Sequence, residues 1–168
     1  GRAPARTEAY GAKMALRYPG VRFEGIGFVR LKEHIPASDI LVTCTPSHKP
    51  FVEKGWIRPG THVNAIGADL VGKQELDAGL LASCRVVGDS RAQVLRQGEC
   101  QVAARMGLLD EGKVDEIGEI LLGRKPGRSS AGEITVFDAT GMAIQDILTA
   151  RLALSRAEGE GLGSVVEI

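Results

Sequence analysis

The acidic residue best placed for chemistry in this chain is Asp69. A largely apolar run over residues 61–66 predicts a buried strand, which breaks at Gly67 and delivers Asp69 just beyond its end. Ligands of open parallel sheets bind outside the carboxyl ends of the strands, so a carboxylate there could exchange protons with a substrate amine if burial raised its pKa. A solvated loop aspartate that caps a helix beginning at Lys73 is an equally good interpretation of the pattern.

A second strand end carries hydroxyl groups. Residues 40–45 form a continuous run rich in β-branched side chains, typical of a parallel strand covered by helices on both faces, and Pro46 stops it. Thr45 and the adjoining backbone would then line a dinucleotide cleft at the carboxyl edge of the sheet. Ordinary termination of a strand explains the same residues.

A third strand, predicted over 134–137, leads into the segment Asp138-Ala-Thr-Gly141 and then a long helix. Backbone N–H groups in such a segment could face the carboxamide or the carboxylate of a ligand. The simpler alternative is a helix N-cap formed by the side chain of Asp138 or Thr140.

The histidines and cysteines do not indicate a metal site. The three histidines share no metal-ligand spacing, and CxxC spacing is absent. His62 is expected to be a packed histidine rather than a base. The cysteines are odd in number and lie singly in apolar or helical segments, which predicts buried, reduced thiols and a cytoplasmic protein. They are Cys44, Cys84 and Cys100.

Strands and helices are predicted to alternate along the chain, which is typical of βαβ units and a parallel sheet, so the predicted fold class is α/β. Beyond the three strands above, strands are predicted over 21–28, 85–87 and 165–168. Helices are predicted over 5–18, 73–84, 90–106, 114–122 and 142–157, with a helical or turn segment at 31–37. The spacing of Ser90 and Gln93 predicts a capping box at the start of its helix.

Composition argues against several classes of function. The chain has 168 residues, near the usual size of one domain, with 21 basic and 21 acidic side chains and zero formal charge. Binding to nucleic acid or to an anionic membrane surface is not expected, since both need a basic excess. A membrane span is not expected either, because no apolar run reaches the ~20 residues that one requires.

A dinucleotide-binding domain also needs a first strand and a glycine-rich turn, G-x-G-x-x-G, for the pyrophosphate. The chain has no such turn, since Gly25-Ile-Gly27 lacks the third glycine and falls within a predicted strand. The sequence is therefore interpreted as the later portion of a larger protein. Catalysis by these residues without that portion is not expected.

Four sequence segments, taken in order, are highly specific for one protein family. They are VTCTPS at 42–47, THVNAIGADLVGKQEL at 61–76, VVGDSRAQVLRQGE at 86–99 and EIGEILLGRKPGRSSAGEITVFDATGMAIQD at 116–146. With them the chain resembles the ornithine cyclodeaminase/mu-crystallin family over essentially its whole length. The resemblance implies a Rossmann-like parallel sheet with helices on both faces, incomplete at its N-terminus. Residues 1–137 would form most of an NAD(P)-binding domain, and residues 138–168 a helix and strand returning to a substrate and dimerisation domain, usually in a homodimer.

The resemblance also implies the site residues. Asp69 falls on the catalytic aspartate of the family motif N-A-x-G-x-D. Arg2 follows Gly1, where many NAD-using members carry an acid, and a guanidinium there favours NADP because it can pair with the 2′-phosphate. The family's substrate-binding arginines and lysine lie upstream of this chain. The implied nicotinamide pocket includes Thr45, Pro46, Asn64, Gly67, Asp138 and Gly141.

The expected function is that of an NAD(P)-dependent oxidoreductase that passes hydride between the nicotinamide and the α-carbon of a small amino acid or cyclic imine, with Asp69 handling the proton. The segment GDSRAQVLRQGE is more similar to the alanine dehydrogenase-like and imine-reducing branch. One alternative is ornithine cyclodeaminase, which converts ornithine to proline and ammonia. Another is a non-catalytic ligand-binding protein of mu-crystallin type, although such members lack an acid at the position of Asp69.

Overall fold

The computed structural model describes residues 3–164 and Val166. The strands among them are β1 (Ile40–Thr43), β2 (His48–Val52), β3 (His62–Ala65), β4 (Gln74–Leu76), β5 (Arg85–Gly88), β6 (Asp115–Glu116) and β7 (Thr135–Asp138). The α-helices are α1 (Pro4–Arg17), α2 (Leu31–His34), α3 (Ala78–Leu81), α4 (Arg91–Gln97), α5 (Cys100–Arg105), α6 (Ile117–Leu121) and α7 (Ala143–Glu160). Short 3-10 helices lie at Phe28–Arg30, Ile35–Ala37, Lys54–Trp56 and Glu111–Lys113.

Five strands form one parallel sheet in the order β1-β3-β7-β5-β6, and β2 pairs with β4 in a separate two-stranded parallel sheet. The register aligns Thr43, Ala65, Asp138 and Gly88 in one row at the carboxyl ends of their strands. The predicted α/β fold with a parallel sheet is confirmed. The turns that follow these four strands therefore begin at the same edge of the sheet.

One face of the sheet is well covered. Val63, Val136 and Val86 lie side by side in the register and are at most 1% exposed. The buried apolar side chains of α3, α4 and α5 belong to the same core cluster and are Ala78, Leu80, Leu81, Val94, Cys100 and Ala103. Burial of this apolar surface is the main stabilising contribution to the fold.

The other face is covered only in part. α6 places Ile117 and Ile120 over it, in a pocket that Phe137 also lines. The outward side chains of β1, Ile40 and Val42, are 65% and 60% exposed. Among the described residues the expectation that helices cover both faces of this strand is therefore wrong, because these two apolar side chains are mainly exposed.

Residues 73–84, predicted to be one helix, divide into strand β4 and helix α3. The backbone of β4 is extended because its N–H groups donate to distant acceptors. Gln74 N donates to Ser47 O at 2.9 Å, which joins β4 to the start of β2. Leu76 N donates to Glu99 Oε1 at 2.6 Å. These tertiary contacts override the local helical pattern.

The helix predicted over 90–106 is broken at Gly98, between α4 and α5. The backbone of Gly98 is extended, and a Cβ there would lie 2.6 Å from Val94 Cα and 2.7 Å from Asp138 Oδ2. That carboxylate oxygen accepts a 2.9 Å hydrogen bond from Cys100 N and so stabilises the first turn of α5.

Two helix starts also differ from the prediction. The side chain of Ser90 forms no cap, so the predicted capping box is wrong. Arg91 N donates instead to Glu116 Oε1 at 2.9 Å. The helix predicted over 114–122 begins only at Ile117, because the two preceding residues pair with β5 as strand β6.

Residues 21–28 do not form the predicted strand, and none of the described strands pairs with them. An extended segment without a neighbouring strand has no ladder of hydrogen bonds to join. Aromatic contacts lie along it instead, with ring centroids 6.3 Å apart for Phe23 and Tyr18 and 5.2 Å apart for Phe28 and Phe51.

The remaining predicted elements agree with the structure. The strands predicted over 40–45, 61–66, 85–87 and 134–137 are β1, β3, β5 and β7, and the helices predicted over 5–18 and 142–157 are α1 and α7. The helical or turn segment predicted at 31–37 is α2 with the 3-10 helix that follows it. The strand predicted over 165–168 lies outside the described residues except for Val166. Within the described part of the chain, no helix has both the length and the hydropathy needed to cross a membrane.

We expect Gly98→Ala to destabilise the protein by roughly 1–3 kcal/mol, since the new methyl group would meet the backbone of Val94 and the buried Asp138 carboxylate. Gly118→Ala in α6 is the matched control, because a Cβ there has no atom within 4 Å. The control should leave stability unchanged or raise it by up to about 1 kcal/mol through helix propensity. Urea unfolding measures both changes, and equal stability of the two variants would contradict the packing described for Gly98.

Candidate functional site

The turns at the carboxyl edge of the sheet form the candidate site. Thr45 and Gly67 follow the ends of β1 and β3 and are in direct contact. A Cβ at Gly67 would lie 2.4 Å from Thr45 O and 2.5 Å from Thr45 N. Only glycine allows these two turns to approach so closely. The family resemblance implied that Gly67 lines the nicotinamide pocket, and in the structure the neighbour that requires a glycine there is Thr45.

The side chain of Glu75 ties these two turns together. Its Oε1 accepts a 2.6 Å hydrogen bond from Thr45 N, and its Oε2 accepts a 3.1 Å bond from Gly67 N. Glu75 is fully buried, so its carboxylate depends on these bonds for the solvation it lost. Sequence reasoning missed Glu75, because it was assigned to a helix and its partners lie 30 and 8 residues away.

Glu99 holds the backbone of Glu75 in turn. Its carboxylate accepts hydrogen bonds from Glu75 N at 2.9 and 3.1 Å and from Leu76 N at 2.6 Å. Burial raises the pKa of Glu99 to about 8, against the lowering effect of these N–H donors. This shift favours the protonated form of the buried side chain near neutral pH.

Asp138 is a structural acid in this chain. It is fully buried, its Oδ2 accepts from Cys100 N, and burial raises its pKa to about 7. Its Oδ1 is buried without a hydrogen-bond partner among the described residues. The side chain faces the start of α5, so what this segment presents at the sheet edge is the backbone that follows Asp138.

The backbone after Asp138 is fixed by Asp89, at the end of β5. Asp89 Oδ2 accepts hydrogen bonds from Thr140 N at 2.9 Å and from Gly141 N at 2.7 Å. Gly141 has φ of +80°, which favours glycine. The expectation that N–H groups of this segment face a ligand is therefore wrong for these two. The N-cap alternative is wrong as well, because α7 begins after Met142 without a side-chain cap.

Asp69 lies on the loop between β3 and β4, with its side chain 47% exposed. Its Oδ1 is 2.5 Å from Lys73 Nζ, and this contact lowers the pKa of Asp69 below its usual 3.8. The carboxylate is thus ionised at neutral pH and carries a cationic partner that sequence reasoning did not identify. The interpretation of Asp69 as a helix cap is wrong, because no helix begins at Lys73.

The remaining predicted site residues are more scattered. Pro46 is exposed beside Thr45. Asn64 lies within β3, on the face opposite Ala65, where its Oδ1 is 3.3 Å from His62 Nε2. His62 Nδ1 is 2.7 Å from Thr135 Oγ1, as expected of a packed histidine. Arg2 lies outside the described residues.

The cysteines are free, but they are not all buried. Cys100 is buried and Cys84 partly buried, and burial raises the pKa of Cys84 to about 12. Cys44 is exposed at the end of β1, so the prediction of burial is wrong there. Across residues 3–164, no group of three or more His, Cys, Asp and Glu side chains is arranged to hold a metal ion.

The sequence profile of the ornithine cyclodeaminase/mu-crystallin family matches residues 3–161. The chain belongs to this family. The family prediction from the four sequence segments is thereby confirmed, and the parallel sheet and its carboxyl edge agree with it.

Individual family members are similar over most of this chain. The alanine dehydrogenase of Archaeoglobus fulgidus is 44% identical over 140 residues, which cover 83% of this chain and 44% of that protein. The structure of the iminosuccinate reductase of Paracoccus denitrificans in complex with NAD+ matches with a TM-score of 0.83 and 37% identity, over 94% of this chain and 47% of that one. The Δ(1)-pyrroline-2-carboxylate reductase of Thermococcus litoralis, in complex with NADH and L-proline, matches with a TM-score of 0.89 and 33% identity, over 98% and 50% of the two chains. The chain thus spans about half the length of the relatives it matches.

The protonated state of Glu99 makes stability depend on pH. Because folding raises the pKa of Glu99 from 4.5 to about 8, the folded protein retains a proton that the unfolded chain releases. The free energy of unfolding should therefore fall as the pH rises from about 5 to about 8, with Asp138 contributing in the same direction. We expect Glu99→Gln, which keeps an acceptor for Leu76 N, to have a shallower slope. Urea unfolding across this pH range measures the difference, and identical slopes would contradict the protonation assigned to Glu99.

Proposed function

We propose that the whole protein is an NAD(P)-dependent oxidoreductase that transfers hydride between the nicotinamide and the α-carbon of a small amino acid or cyclic imine. The observation that carries the proposal is the position of Asp69, a half-exposed and ionised carboxylate at the carboxyl edge of the parallel sheet. The similarity to an alanine dehydrogenase and to two imine reductases supports the reaction class.

Asp69 would exchange the proton of the substrate nitrogen. An ionised carboxylate accepts a proton from an ammonium group as the α-carbon is oxidised, and returns it when an imine is reduced. The contact with Lys73 favours the ionised form of Asp69, which is the form that accepts a proton. The pKa of Asp69 would rise if a bound ring and substrate excluded water from it.

The cofactor would lie along the carboxyl edge, against the turn at Thr45 and Pro46, Gly67 and the backbone after Asp138. When bound, a nicotinamide supplies the site that gives or accepts the hydride. The edge leaves room for such a group, because Pro46 is exposed and a Cβ at Gly141 would have no atom within 4 Å. Thr45 keeps this turn in place, with its N–H bonded to Glu75 and its Oγ1 accepting from Ser47 N at 3.3 Å.

The choice between NAD and NADP stays a prediction. Three similar structures contain NAD or NADH, which supports a nicotinamide cofactor in general. A preference for NADP would depend on Arg2, which the structure does not describe. Comparing the affinities of the full-length protein for NAD+ and NADP+ tests this preference, and tighter binding of NAD+ would contradict it.

We also propose a homodimer in which residues 138–168 belong to the substrate and dimerisation domain and residues 1–137 to the cofactor domain. An archaeal alanine dehydrogenase dimer with bound NAD is among the similar structures, with a TM-score of 0.83 and 39% identity. The apolar stripe of α7 also supports this assignment, since its residues are more than half exposed in this chain: Ile144, Ile147, Leu148 and Leu152. The three free cysteines support a cytoplasmic setting.

Asp69→Asn in the full-length protein tests the central role. Turnover of alanine, proline or a cyclic imine, followed by NAD(P)H absorbance, is expected to fall by on the order of 10²–10⁴-fold, because the amide cannot accept the proton. Cofactor affinity should change little. Asp110→Asn is the matched control, since Asp110 is an exposed aspartate with a lysine partner, Lys113, 3.9 Å away at the other end of the sheet.

Three outcomes would contradict the proposal in different ways. Full turnover by Asp69→Asn would exclude the proton-transfer role. Conversion of ornithine to proline and ammonia without net change in reduced cofactor would identify a cyclodeaminase. Cofactor binding without turnover of any of these substrates would instead favour a binding protein of mu-crystallin type.

A further inference from the structure

Ala68 is buried, but the part of the loop that follows Asp69 has little apolar anchorage of its own. Between β3 and β4, Leu70 and Val71 are mainly exposed, and Gly72 has φ of +88°. Glycine at such a position lowers the barrier to other backbone conformations. Something outside the loop must therefore hold it if Asp69 and Lys73 are to keep their contact.

The side chain of Gln101, from α5, is that restraint. Its Oε1 accepts a 2.8 Å hydrogen bond from Gly72 N. Its Nε2 is the donor to three backbone carbonyl oxygens, at 3.2 Å from both Leu70 O and Lys73 O and 2.9 Å from Gly98 O. A primary amide has both a donor and an acceptor end, so one side chain can bond both kinds of backbone group on the same loop.

Gln101 can act as a rigid support because α5 is itself fixed. The side chain of Gln101 is 1% exposed, which removes competition from water. The first residue of α5 donates its N–H to the buried Asp138 carboxylate, and the preceding Glu99 accepts from the backbone of β4. Hydrogen bonds in such a buried network are costly to lose, since the separated groups remain without solvent.

Two other polar side chains contact Gln101 or the loop that it holds. His48 Nδ1 lies 3.0 Å from Gly72 O, on the outer side of the loop. Arg105 donates weakly to Gln101 Oε1 at 3.4 Å. Neither group bonds to Leu70 O or Lys73 O, which are held by Gln101.

We propose that Gln101 is a positioning residue for the catalytic acid. It holds the backbone of Lys73 and of the loop so that the ammonium group meets the carboxylate of Asp69. The catalytic meaning of this contact rests on the function proposed for Asp69, whereas the restraint on the loop does not.

Gln101→Met in the full-length protein tests the proposal, because methionine has a similar length and no amide. Amide hydrogen exchange across residues 69–73 is expected to be at least ~10-fold faster, since Gly72 N loses its buried acceptor. The kcat should fall by up to about 10²-fold through misplacement of Asp69, with little change in cofactor affinity. Gln97→Met is the matched control, since Gln97 ends α4 and, among the described residues, its side chain bonds to Arg96 and to no group of the loop.

The pH profile of kcat/KM is a second measurement, and it would not change if Gln101 had a purely structural role. Lys73 lowers the pKa of Asp69, so releasing Lys73 should raise that pKa towards 3.8 and shift the acidic limb of kcat/KM to higher pH. His48 and Arg105 are unchanged in the variant, so a shift of that limb reports on Asp69. If Gln101→Met does not fold, Gln101→Glu keeps the acceptor for Gly72 N and removes the donor to the three carbonyls. The fall in kcat is then expected together with faster exchange at the other amides of residues 69–73.

Unchanged exchange of the loop would overturn the proposal, and so would faster exchange with an unaltered kcat and acidic limb. Failure of the proposed function is seen separately, because the unmodified protein would then turn over no amino acid or imine. In that case the exchange measurement alone decides whether Gln101 holds the loop.

Discussion

The arrangement of the candidate site depends on one buried carboxylate, that of Glu75, between the N–H groups of Thr45 and Gly67. A charged or polar group without solvent must be hydrogen-bonded within the protein, and these two donors satisfy it. The same bonds fix the distance between the turns that end β1 and β3. If the acid were lost, two buried N–H groups would remain without acceptors where the cofactor is proposed to lie.

The bonds of Glu75 belong to a wider network that links the edge of the sheet to α5. Glu99 holds the backbone of β4, Asp138 stabilises the start of α5, and Gln101 reaches from α5 to the Asp69 loop. Glycines make these contacts possible, because a Cβ at Gly67 or Gly98 would occupy the space of a carboxylate. The network restrains Asp69 although this residue lies on a loop, which suits a residue that must meet a substrate and a cofactor at fixed distances.

Local sequence patterns predicted the strands β1, β3, β5 and β7, the helices α1 and α7 and the edge at which Asp69 lies, because these features depend on continuous apolar runs and on the residues that end them. They did not predict β4 or the break at Gly98. The acceptors that keep β4 extended and the carboxylate that replaces helical contacts at Gly98 lie more than 20 residues away in the chain. For the same reason Glu75, Asp89 and Gln101 were not identified. The contact between Asp69 and Lys73 spans only four residues, and it was missed because a helix was predicted to begin at Lys73. The family was predicted from the order of the four sequence segments, because no single segment could have indicated it.

The most direct test of this account is a crystal structure of the full-length protein with NAD+ and L-alanine or L-proline. The account predicts that the nicotinamide ring lies along the carboxyl edge, against the turn at Thr45, and that the Asp69 carboxylate is within about 3 Å of the substrate nitrogen or of one bridging water. A nicotinamide bound elsewhere, or an Asp69 side chain that faces only solvent in this complex, would contradict it.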